Sequence, residues 1–337
     1  MNILFVNYGG FDTNSMDHIA GFANQLCEWG HDCAVAVPGS LDGIQDLPLC
    51  RFRAATHNDA AHADGLFRNR RPADILHAWT TREPVRQCML SVLRKQPAPA
   101  VLHLEDNEQH IASRMSGMAP EPLNQMSDLE MLNEPWGHDL LTKWTHPRRG
   151  NDFLQLCEGF TLITPALQEL IPKDRIGQRI HPGVDFGLFH PQPADPALRA
   201  AHARRPNEKL IVYCGGVNRL NESEIRTLYE AVALLNEEGY PCQLLHTGPP
   251  ATLATFHESL PRELKEHVQH LGWLHKRELP AIMALADVFV QPGCIGPYNT
   301  YRLPSKIPQF LAMGKPVVLP ATNLAHELRD GHDALFL

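Results

Sequence analysis

Short β-rich runs alternate with helical patterns along the whole chain, and this alternation constrains the fold more than any other feature. In the first half the β-rich runs are "NILFVN", "CAVAVP", "DILHAW", "AVLHLE" and "GFTLIT", and helical patterns cover residues 16–29, 83–95 and 165–170. A second series contains "KLIVYC", "CQLLHT", "HVQHLG", "DVFVQP" and "PVVLP", with helical patterns over 222–237, 276–285 and 304–313. Such alternation is typical of βαβ units in a parallel sheet. The sequence therefore predicts an α/β protein with two doubly wound domains.

The length of the chain also favours two domains. It has 337 residues, whereas single hydrophobic cores stop growing near about 250–300 residues. The predicted join is "HPQPADPALRAAHARRPNEK" (190–209), where prolines and charges interrupt both periodic patterns. Open parallel sheets bind ligands beyond the carboxyl ends of their strands. We therefore expect a site in a cleft shared by the two domains.

Charge and hydropathy patterns exclude several classes of function. The chain carries 30 Lys and Arg against 38 Asp and Glu, a net charge of -8 that would repel a nucleic-acid backbone. Met1 leads directly into "NILFV" without a basic leader, and no apolar run approaches the roughly 20 residues that a membrane helix needs. We predict a cytoplasmic protein that does not bind nucleic acid. Peripheral association with the inner face of the membrane stays open.

Neither cysteine nor histidine spacing predicts a metal centre. The eight cysteines lie in apolar contexts without a C-x-x-C pair, which is typical of free thiols in a reducing compartment. The densest histidine cluster is "HVQHLGWLH" (267–275), and it has no neighbouring carboxylate or cysteine to complete a ligand set. We expect no metal and no bound cofactor.

The first strand is followed by a glycine pair, Gly9 and Gly10, in "NYGGFDTNSMD". Glycines there let the backbone approach a ligand, and the following helix points its amide end at the same place. The G-x-G-x-x-G pattern is missing, so a dinucleotide site is not indicated. A tight turn that needs glycine for its own geometry is an equally good interpretation.

The second domain repeats this arrangement in "YCGGVNRLNESEI". Gly215 and Gly216 follow the strand, and Arg219 lies just before the helix. Asn221 and Glu224 have the spacing of a helix N-cap and a capping box. Glycines, an arginine and a helix N-terminus together predict an anion site.

A third loop, "PYNTYRLPSKIPQFLAMGK", places cations at the start of a helix. The helix is predicted to begin near Ser305 and to end at Gly314. If helical geometry extends back to Arg302, then Arg302, Lys306 and Gln309 share one face, opposite the apolar residues 307, 310 and 311. Cations are unfavourable at a helix N-terminus, so this loop also predicts a bound anion.

Residues 110–150 are rich in methionine and irregular in pattern. Met115, Met118, Met126 and Met131 occur at helical spacings between prolines. Such a stripe fills a core or forms a flexible helical insertion more often than it binds a cofactor. Lining an acceptor groove is the other interpretation left open.

Five segments together resemble the retaining glycosyltransferases of the GT-B fold, family 4 (glycosyl transferases group 1). They are "GFANQLCEWGHDCAVAVP", "RIHPGVDFGLFHP", "YCGGVNRLNESEIRTLYEAVALL", "HLGWLHKRELPAIMALADVFVQPG" and "KIPQFLAMGKPVV", in the order of the family. The resemblance implies two Rossmann-like domains facing a cleft. Residues 1–189 would bind the acceptor and residues 190–337 the nucleotide-diphosphate sugar.

The resemblance also implies roles for individual residues. Arg219 and Lys306 would neutralise the donor diphosphate, and Gln309 stands where the family has a glutamate that binds the ribose. Trp273 and Leu274 match the segment that packs near the base. The other donor-binding positions would be Gly9, Gly10, Gly215, Gly216, Gly248, Asn299, Thr300, Tyr301, Arg302 and Leu303.

On the acceptor side the resemblance points to the strand end "LHLEDNEQH". Glu105 and Asp106 stand where many relatives have His-Asp, and His77 belongs to the same side. Asp106 would orient an acceptor hydroxyl, while the donor phosphate assists its deprotonation. An equally good interpretation makes Asp106 the cap of a helix that starts near residue 108.

Three departures from the family pattern keep a second function open. Gln309 and Tyr301 replace the two glutamates of the family motif, and "NESE" stands where a second basic residue is usual. The chain ends at "GHDALFL", where the family continues into further helices. A nucleotide-sugar-binding protein without transferase activity is therefore the alternative to a hexosyltransferase-type enzyme that transfers sugar to a carbohydrate or glycolipid. An epimerase or phosphorylase on the same fold is the weaker third reading.

Overall fold

The computed structural model describes residues 1–62, 65–205 and 207–337. It divides into two compact units, one formed by Met1–Gly183 with Tyr301–Leu303, the other by Val184–Thr300 with Pro304–Leu337. Pro206, which belongs to the predicted join, lies outside the described residues. The join contains a short helix, α9 (Pro196–His202), in which Asp195 caps the first turn.

In its described residues the first unit is built on a seven-stranded parallel sheet. The strands are β1 (Asn2–Val6), β2 (Asp32–Val37), β3 (Arg53–Thr56), β4 (Ile75–Trp79), β5 (Ala100–Leu104), β6 (Gly159–Leu162) and β7 (Ile176–Arg179). Their spatial order is β3-β2-β1-β4-β5-β6-β7. The strand order changes direction between β1 and β4, and ligands of such sheets bind at this switch point.

Helices connect these strands. They are α1 (Asn14–Glu28), α2 (His57–His62), α3 (Glu83–Leu93), α4 (Glu108–Ser116), α5 (Pro120–Gln125), α6 (Asp128–Leu132), α7 (Gly137–Thr142) and α8 (Pro147–Leu156), with 3-10 turns at Ile44–Asp46 and Pro165–Leu170. Helix α1 buries Met16, Ile19 and Ala23, which recur at helical spacing and pack on Phe5 and Val35. This stripe fixes the helix against the sheet.

The methionine-rich segment forms a small core of its own. Met131 is fully buried with Leu123 and Leu140, and Met118 and Met126 pack against them. The interpretation of these methionines as core filling is therefore correct for this part of the segment. The four short helices α5–α8 form a helical insertion between α4 and β6.

The second unit contains, in its described residues, a six-stranded parallel sheet. Its strands are β8 (Lys209–Cys214), β9 (Cys242–Thr247), β10 (Val268–Gly272), β11 (Val288–Val290), β12 (Val317–Leu319) and β13 (Leu335–Phe336). Their order is β10-β9-β8-β11-β12-β13, which places the switch point between β8 and β11. The prediction of two doubly wound parallel sheets is confirmed.

Helices also connect the strands of the second unit. After α9 they are α10 (Glu222–Glu237), α11 (Pro250–Ser259), α12 (Arg262–Lys265), α13 (Leu279–Ala284), α14 (Pro297–Tyr301) and α15 (Lys306–Ala312), with a 3-10 turn at Asn323–Glu327. Helix α10 packs Ile225, Tyr229 and Val232 against Ile211 and Leu244 of the sheet. The carboxyl ends of β8, β9 and β11 therefore form one fixed edge.

Candidate functional site

The glycine pair of the first unit forms a tight, internally bonded turn. The Nδ2 of Asn7 donates to the carbonyl of Gly9 and to the hydroxyl of Thr13, both at 2.9 Å. A Cβ on Gly9 would lie 2.5 Å from Cγ2 of Thr13, so the Thr13 side chain would have to leave its hydrogen-bonded position. Gly9 therefore has a sufficient structural reason, and its predicted contact with a donor, like that of Gly10, stays a prediction.

Glu105, at the end of β5, is already bonded inside the first unit. Its carboxylate accepts a hydrogen bond from the hydroxyl of Ser15 and lies 3.3 Å from Nδ1 of His18. Burial alone would raise the pKa of Glu105, but the hydrogen bond and charge of His18 lower it to about 2. Glu105 is thus an ionised group that holds α1 against β5.

Glu108 is also bonded, to a buried arginine that the sequence analysis missed. Nε of Arg82 donates to Glu108 over 2.8 Å, and Thr145 donates to the same carboxylate over 3.2 Å. The guanidinium of Arg82 lies between two rings, 4.0 Å from Tyr8 and 4.6 Å from Trp144. Burial alone would lower the pKa of Arg82, but Glu108 raises it above its ordinary value, so the cation persists.

Asp106 differs from both neighbouring carboxylates. Within residues 1–62, 65–205 and 207–337 it makes no hydrogen bond or ion pair, and it lines a cavity with Glu108, Thr145 and Asn151. Burial, followed by the charge of Glu108, raises the pKa of Asp106 to about 7. Asp106 is therefore the carboxylate of this strand end that a ligand could engage.

The capping role considered for Asp106 is wrong. Helix α4 is capped by Asn107, whose side-chain oxygen accepts from the backbone N–H of His110 over 3.0 Å. A cap must precede the first helical residue directly, and Asp106 is one position too early. The Asp106 side chain therefore does not cap α4.

His77 lies in the middle of β4 rather than in a loop. Its Nε2 is 3.1 Å from the hydroxyl of Thr161, which also lies 2.8 Å from Nδ1 of His103. His103 stacks on Trp79 at 3.9 Å between ring centroids. Burial lowers the pKa of His77 to about 4 and that of His103 to about 3, so both rings are neutral at pH 7. A direct acceptor contact for His77 stays a prediction.

In the second unit the glycine pair after β8 lies against the loop after β9. The N–H of Gly215 donates to the carbonyl of Thr247 over 2.9 Å. A Cβ on Gly248 would lie 2.5 Å from the carbonyl oxygen of Gly215, so only glycine fits there. Two loops therefore meet backbone to backbone beyond the carboxyl ends of β8 and β9.

The predicted capping box at α10 is wrong. Asn221 occupies the N-cap position but uses its side chain elsewhere, accepting from the N–H of Asn218 and donating to the carbonyl of Gly216. Glu224 instead accepts a hydrogen bond from Asn299. Asn221 thus shapes the loop that carries Arg219, whose side chain is exposed.

The loop after β11 contains a short helix, α14, that the sequence analysis did not predict. Helix α15 begins at Lys306 with Ser305 at the N-cap position, in agreement with the predicted start near Ser305. Residues 302–304 are not helical, so Arg302 does not share a helix face with Lys306 and Gln309. Gln309 is only 6% exposed and lies beside the buried Phe310.

Lys306 and Gln309 nevertheless have the features of ligand contacts. Lys306 lies close enough to Cys214, the last residue of β8, to lower its pKa, although burial dominates and raises that pKa to about 11. The ammonium group is therefore near the glycine loop. The buried Oε1 of Gln309 has no hydrogen-bond partner among the described residues, an unfavourable state that a bound donor group would relieve.

The other residues predicted to bind the donor differ in burial and in their hydrogen bonds. Asn299 is buried and donates to the carbonyl of Cys294 over 2.9 Å, which fixes the loop internally. The N–H of Thr300 donates to the carbonyl of Gly296 inside α14. Trp273 follows β10 with 57% of its surface exposed, and Leu274 beside it is half-buried. These positions stay predictions.

Tyr301, Arg302 and Leu303 group with the first unit. The Tyr301 hydroxyl donates to Glu169 over 3.0 Å, and its carbonyl accepts from the hydroxyl of Thr164. Arg302 is close enough to Asp106 to act against the rise of its pKa. The Tyr301 side chain is therefore bonded to Glu169. The resemblance implies a donor-binding glutamate at this position.

Arg82, His18 and Thr145 are the side chains of this site that the sequence analysis did not single out. Arg82 lies in "WTTREP", directly after β4, and β4 borders the switch point of the first sheet. Ligands of open parallel sheets bind beyond the carboxyl ends of the strands, so the loop after β4 is a candidate just as the loops after β1 and β5 are. His18 and Thr145 reach the same edge from other segments, and no local spacing indicates them.

The described residues contain neither a metal-ligand cluster nor a helix that could span a membrane. No group of three or more His, Cys, Asp or Glu side chains in that part of the chain has a metal-binding arrangement. No helix in the same part is long and apolar enough to cross a membrane. The eight cysteines are free thiols.

One protein-family model matches most of the second unit. The model described as "Glycosyl transferases group 1" matches residues 208–337. The match covers Gly215, Arg219, Lys306 and Gln309. No curated protein sequence matches the chain.

Solved structures share the fold over the full length. Sucrose-phosphate synthase from Thermosynechococcus elongatus is 13% identical with a TM-score of 0.64, covering 100% of this chain and 86% of its own. HepE from Anabaena in complex with UDP-glucose is 14% identical with a TM-score of 0.61, covering 100% and 85%. The catalytic domain of starch synthase IV from Arabidopsis thaliana, bound to ADP and acarbose, is 13% identical with a TM-score of 0.59, covering 98% and 85%. At these identities the likeness shows the fold, which is the predicted GT-B fold.

Proposed function

We propose that this chain is a retaining glycosyltransferase that moves a sugar from a nucleotide-diphosphate sugar to a hydroxyl group of an acceptor without a metal ion. The observation that carries the proposal is the glycosyltransferase group 1 match over residues 208–337. The complexes of HepE with UDP-glucose and of starch synthase IV with ADP support a nucleotide-linked donor. Residues 190–337 would bind this donor and residues 1–189 the acceptor.

Lys306 and Arg219 are the proposed partners of the donor diphosphate. Lys306 lies near the end of β8, and Arg219 extends from the loop that follows that strand. Two cations beside backbone N–H groups would stabilise the charge that develops on the leaving diphosphate. The unpartnered Oε1 of Gln309 would accept a hydrogen bond from a ribose hydroxyl. Trp273 and Leu274 remain the proposed neighbours of the base.

The proposed reaction exchanges one bond at the anomeric carbon for another on the same face. The bond from this carbon to the phosphate oxygen breaks, and a bond to the acceptor oxygen forms. The proton of the acceptor hydroxyl passes to the departing diphosphate, so no protein base takes it up. Asp106 would accept a hydrogen bond from another hydroxyl of the acceptor and so orient the reacting one, since Glu105 and Glu108 already have partners.

A nucleotide panel tests the proposal at low cost. A ligand that binds the folded state raises apparent stability by mass action, so UDP, GDP or ADP should raise the melting temperature when present far above its Kd. The matching sugar nucleotide should then be hydrolysed slowly or transferred, with the same rate in EDTA. Tight binding without turnover would favour the nucleotide-sugar-binding alternative, and no shift with any nucleotide would refute both.

Asp106→Asn should lower kcat/KM for transfer by roughly 10- to 100-fold, because a hydrogen bond to a charged acceptor is lost. The raised pKa of Asp106, about 7, also predicts that wild-type kcat/KM rises between about pH 6 and 8 as the carboxylate ionises. The variant should lose this rise. Asp152→Asn, at an exposed position of α8, is the matched control and should keep the wild-type profile. An unchanged profile in Asp106→Asn would remove Asp106 from the site.

A further inference from the structure

A chain of buried polar side chains lies beneath the glycine loop of the second unit. Nε2 of His246 is 2.9 Å from the carbonyl oxygen of Gly215, and Nδ1 of the same ring is 2.7 Å from the hydroxyl of Tyr229. Nε2 of His270 lies 3.3 Å from that hydroxyl. His246 and Tyr229 are both fully buried. None of these side chains has a role in the proposed chemistry.

The Gly215 carbonyl at one end of this row of side chains sets the direction of each hydrogen bond in it. A carbonyl oxygen can only accept, so Nε2 of His246 carries the hydrogen and Nδ1 is an acceptor. Tyr229 therefore donates to His246, and its oxygen accepts from Nε2–H of His270. All three bonds point toward Gly215. The Gly215 carbonyl fixes the Nε2–H tautomer of His246, and the Tyr229 hydroxyl holds the ring through Nδ1.

This chain determines where the next peptide group points. In a trans peptide the C=O of one residue and the N–H of the next point in opposite directions. With the carbonyl of Gly215 turned into the core toward His246, the N–H of Gly216 points away from the core. That N–H makes no hydrogen bond within the part of the chain that the structure describes. The neighbouring groups are fixed too, since Gly215 donates to Thr247 and Gly216 accepts from Asn221.

We propose that His246, held in place by Tyr229, is a positioning residue for the donor: it turns the Gly215–Gly216 peptide so that the N–H of Gly216 donates to a phosphate oxygen of a nucleoside diphosphate. The inference rests on the proposed function, because it assigns a further contact within the same donor site. The buried chain supplies the rigidity. A Cβ on Gly215 would lie 2.5 Å from the hydroxyl oxygen of Tyr213, so the tight course of this loop depends on glycine.

Tyr229→Phe is the first test, since it removes one hydroxyl and keeps the ring packed on Phe256. Nitrogen-15 spectra of histidine side chains should show the Nε2–H tautomer of His246 in the wild type and a shifted Nδ1 signal in the variant, because Nδ1 loses its hydrogen bond from Tyr229. The Kd for the nucleoside diphosphate that the wild type binds should rise roughly 5- to 10-fold, as for one weakened charge-assisted hydrogen bond. The donor KM should rise in parallel, while the acceptor KM stays unchanged. Tyr240→Phe, at an exposed position, should have no effect.

Two variants of His246 separate positioning from loss of structure. His246→Gln places an amide N–H where Nε2 stood and should retain most of the nucleotide affinity, whereas the apolar His246→Leu should lose it. Wild-type affinity in His246→Leu and Tyr229→Phe overturns the inference. An Nδ1–H tautomer in the wild type also overturns it, even if nucleotide binds. If the wild type binds no nucleoside diphosphate but shows the Nε2–H tautomer, the proposed function has failed and the donor contact fails with it, while the hydrogen-bond chain stands.

Discussion

Lys306→Ala is expected to reduce transfer below detection and to weaken nucleoside diphosphate binding by roughly 10- to 100-fold. The variant removes an ammonium group that lies near the carboxyl end of β8, where the donor diphosphate is proposed to bind. A charge-assisted hydrogen bond contributes about 1.5–3 kcal/mol, which corresponds to this range of affinity. Because the charge on the leaving diphosphate grows in the transition state, the rate should fall further than the affinity.

The measurement is isothermal titration with UDP, GDP and ADP, followed by a transfer assay with the nucleotide sugar that binds. Lys315→Ala is the matched control, since it removes the same charge just after the end of the same helix, α15. The control should keep wild-type affinity and rate. Equal affinities in wild type and Lys306→Ala would remove Lys306 from the donor site but would leave the family match untouched.

Acidification is expected to destabilise both units strongly, because each contains a buried neutral histidine. Burial lowers the pKa of His103 in the first unit and of His246 in the second unit to about 3. In the unfolded chain histidine titrates near about 6.5. Between pH 6.5 and 3 the unfolded state therefore binds more protons than the folded state, and stability falls as the pH falls. At pH 5 each histidine should lower the free energy of unfolding by about 2 kcal/mol.

Asp106 acts in the opposite direction over part of this range. Its pKa is raised to about 7, so the folded state binds a proton between about pH 7 and 4 that the unfolded state does not. The stabilisation from Asp106 is smaller than the combined destabilisation from the buried histidines, since burial also lowers the pKa of His57, His77 and His270 to about 4. The net expectation is a loss of several kcal/mol between pH 7.5 and pH 5.

Urea unfolding at pH 7.5 and pH 5 measures this loss. His103→Gln should unfold with a smaller difference between the two pH values, because one buried titrating group is gone. His138→Gln makes the same substitution at a position that is 73% exposed, and its difference should match that of the wild type. A stability independent of pH in the wild type would contradict the prediction.

The strands that the sequence predicted best are those buried on both faces. The predicted strand 209–214 is β8, and "CQLLHT" is β9 from its first residue to its last. Strands β3 and β7, which the sequence analysis did not find, are short edge strands with partly exposed residues. Continuous apolar runs distinguish a central parallel strand from its surroundings, whereas edge strands lack that contrast.

The candidate site was predictable to the level of its loops but not of its side-chain partners. Glycine pairs after β1 and β8 were visible because they depend on local geometry. The role of Glu224 was not, since Glu224 is bonded by Asn299, a residue 75 positions away. The burial of Gln309 likewise depends on how α15 packs in the second unit. Partners distant in sequence decide such cases, and a single sequence does not contain their pairing.

The stacking of Arg82 between Tyr8 and Trp144 has a consequence for protein engineering. Trp144 belongs to the helical insertion α5–α8, whereas Tyr8 follows β1 and Glu108 begins α4. Deleting the insertion to obtain a minimal domain would expose one side of a buried cation and remove Thr145 from Glu108. Helices α5–α8 therefore cannot be deleted without loss of these contacts. A shortened protein would need another aromatic ring beside Arg82 and another hydroxyl group that donates to Glu108.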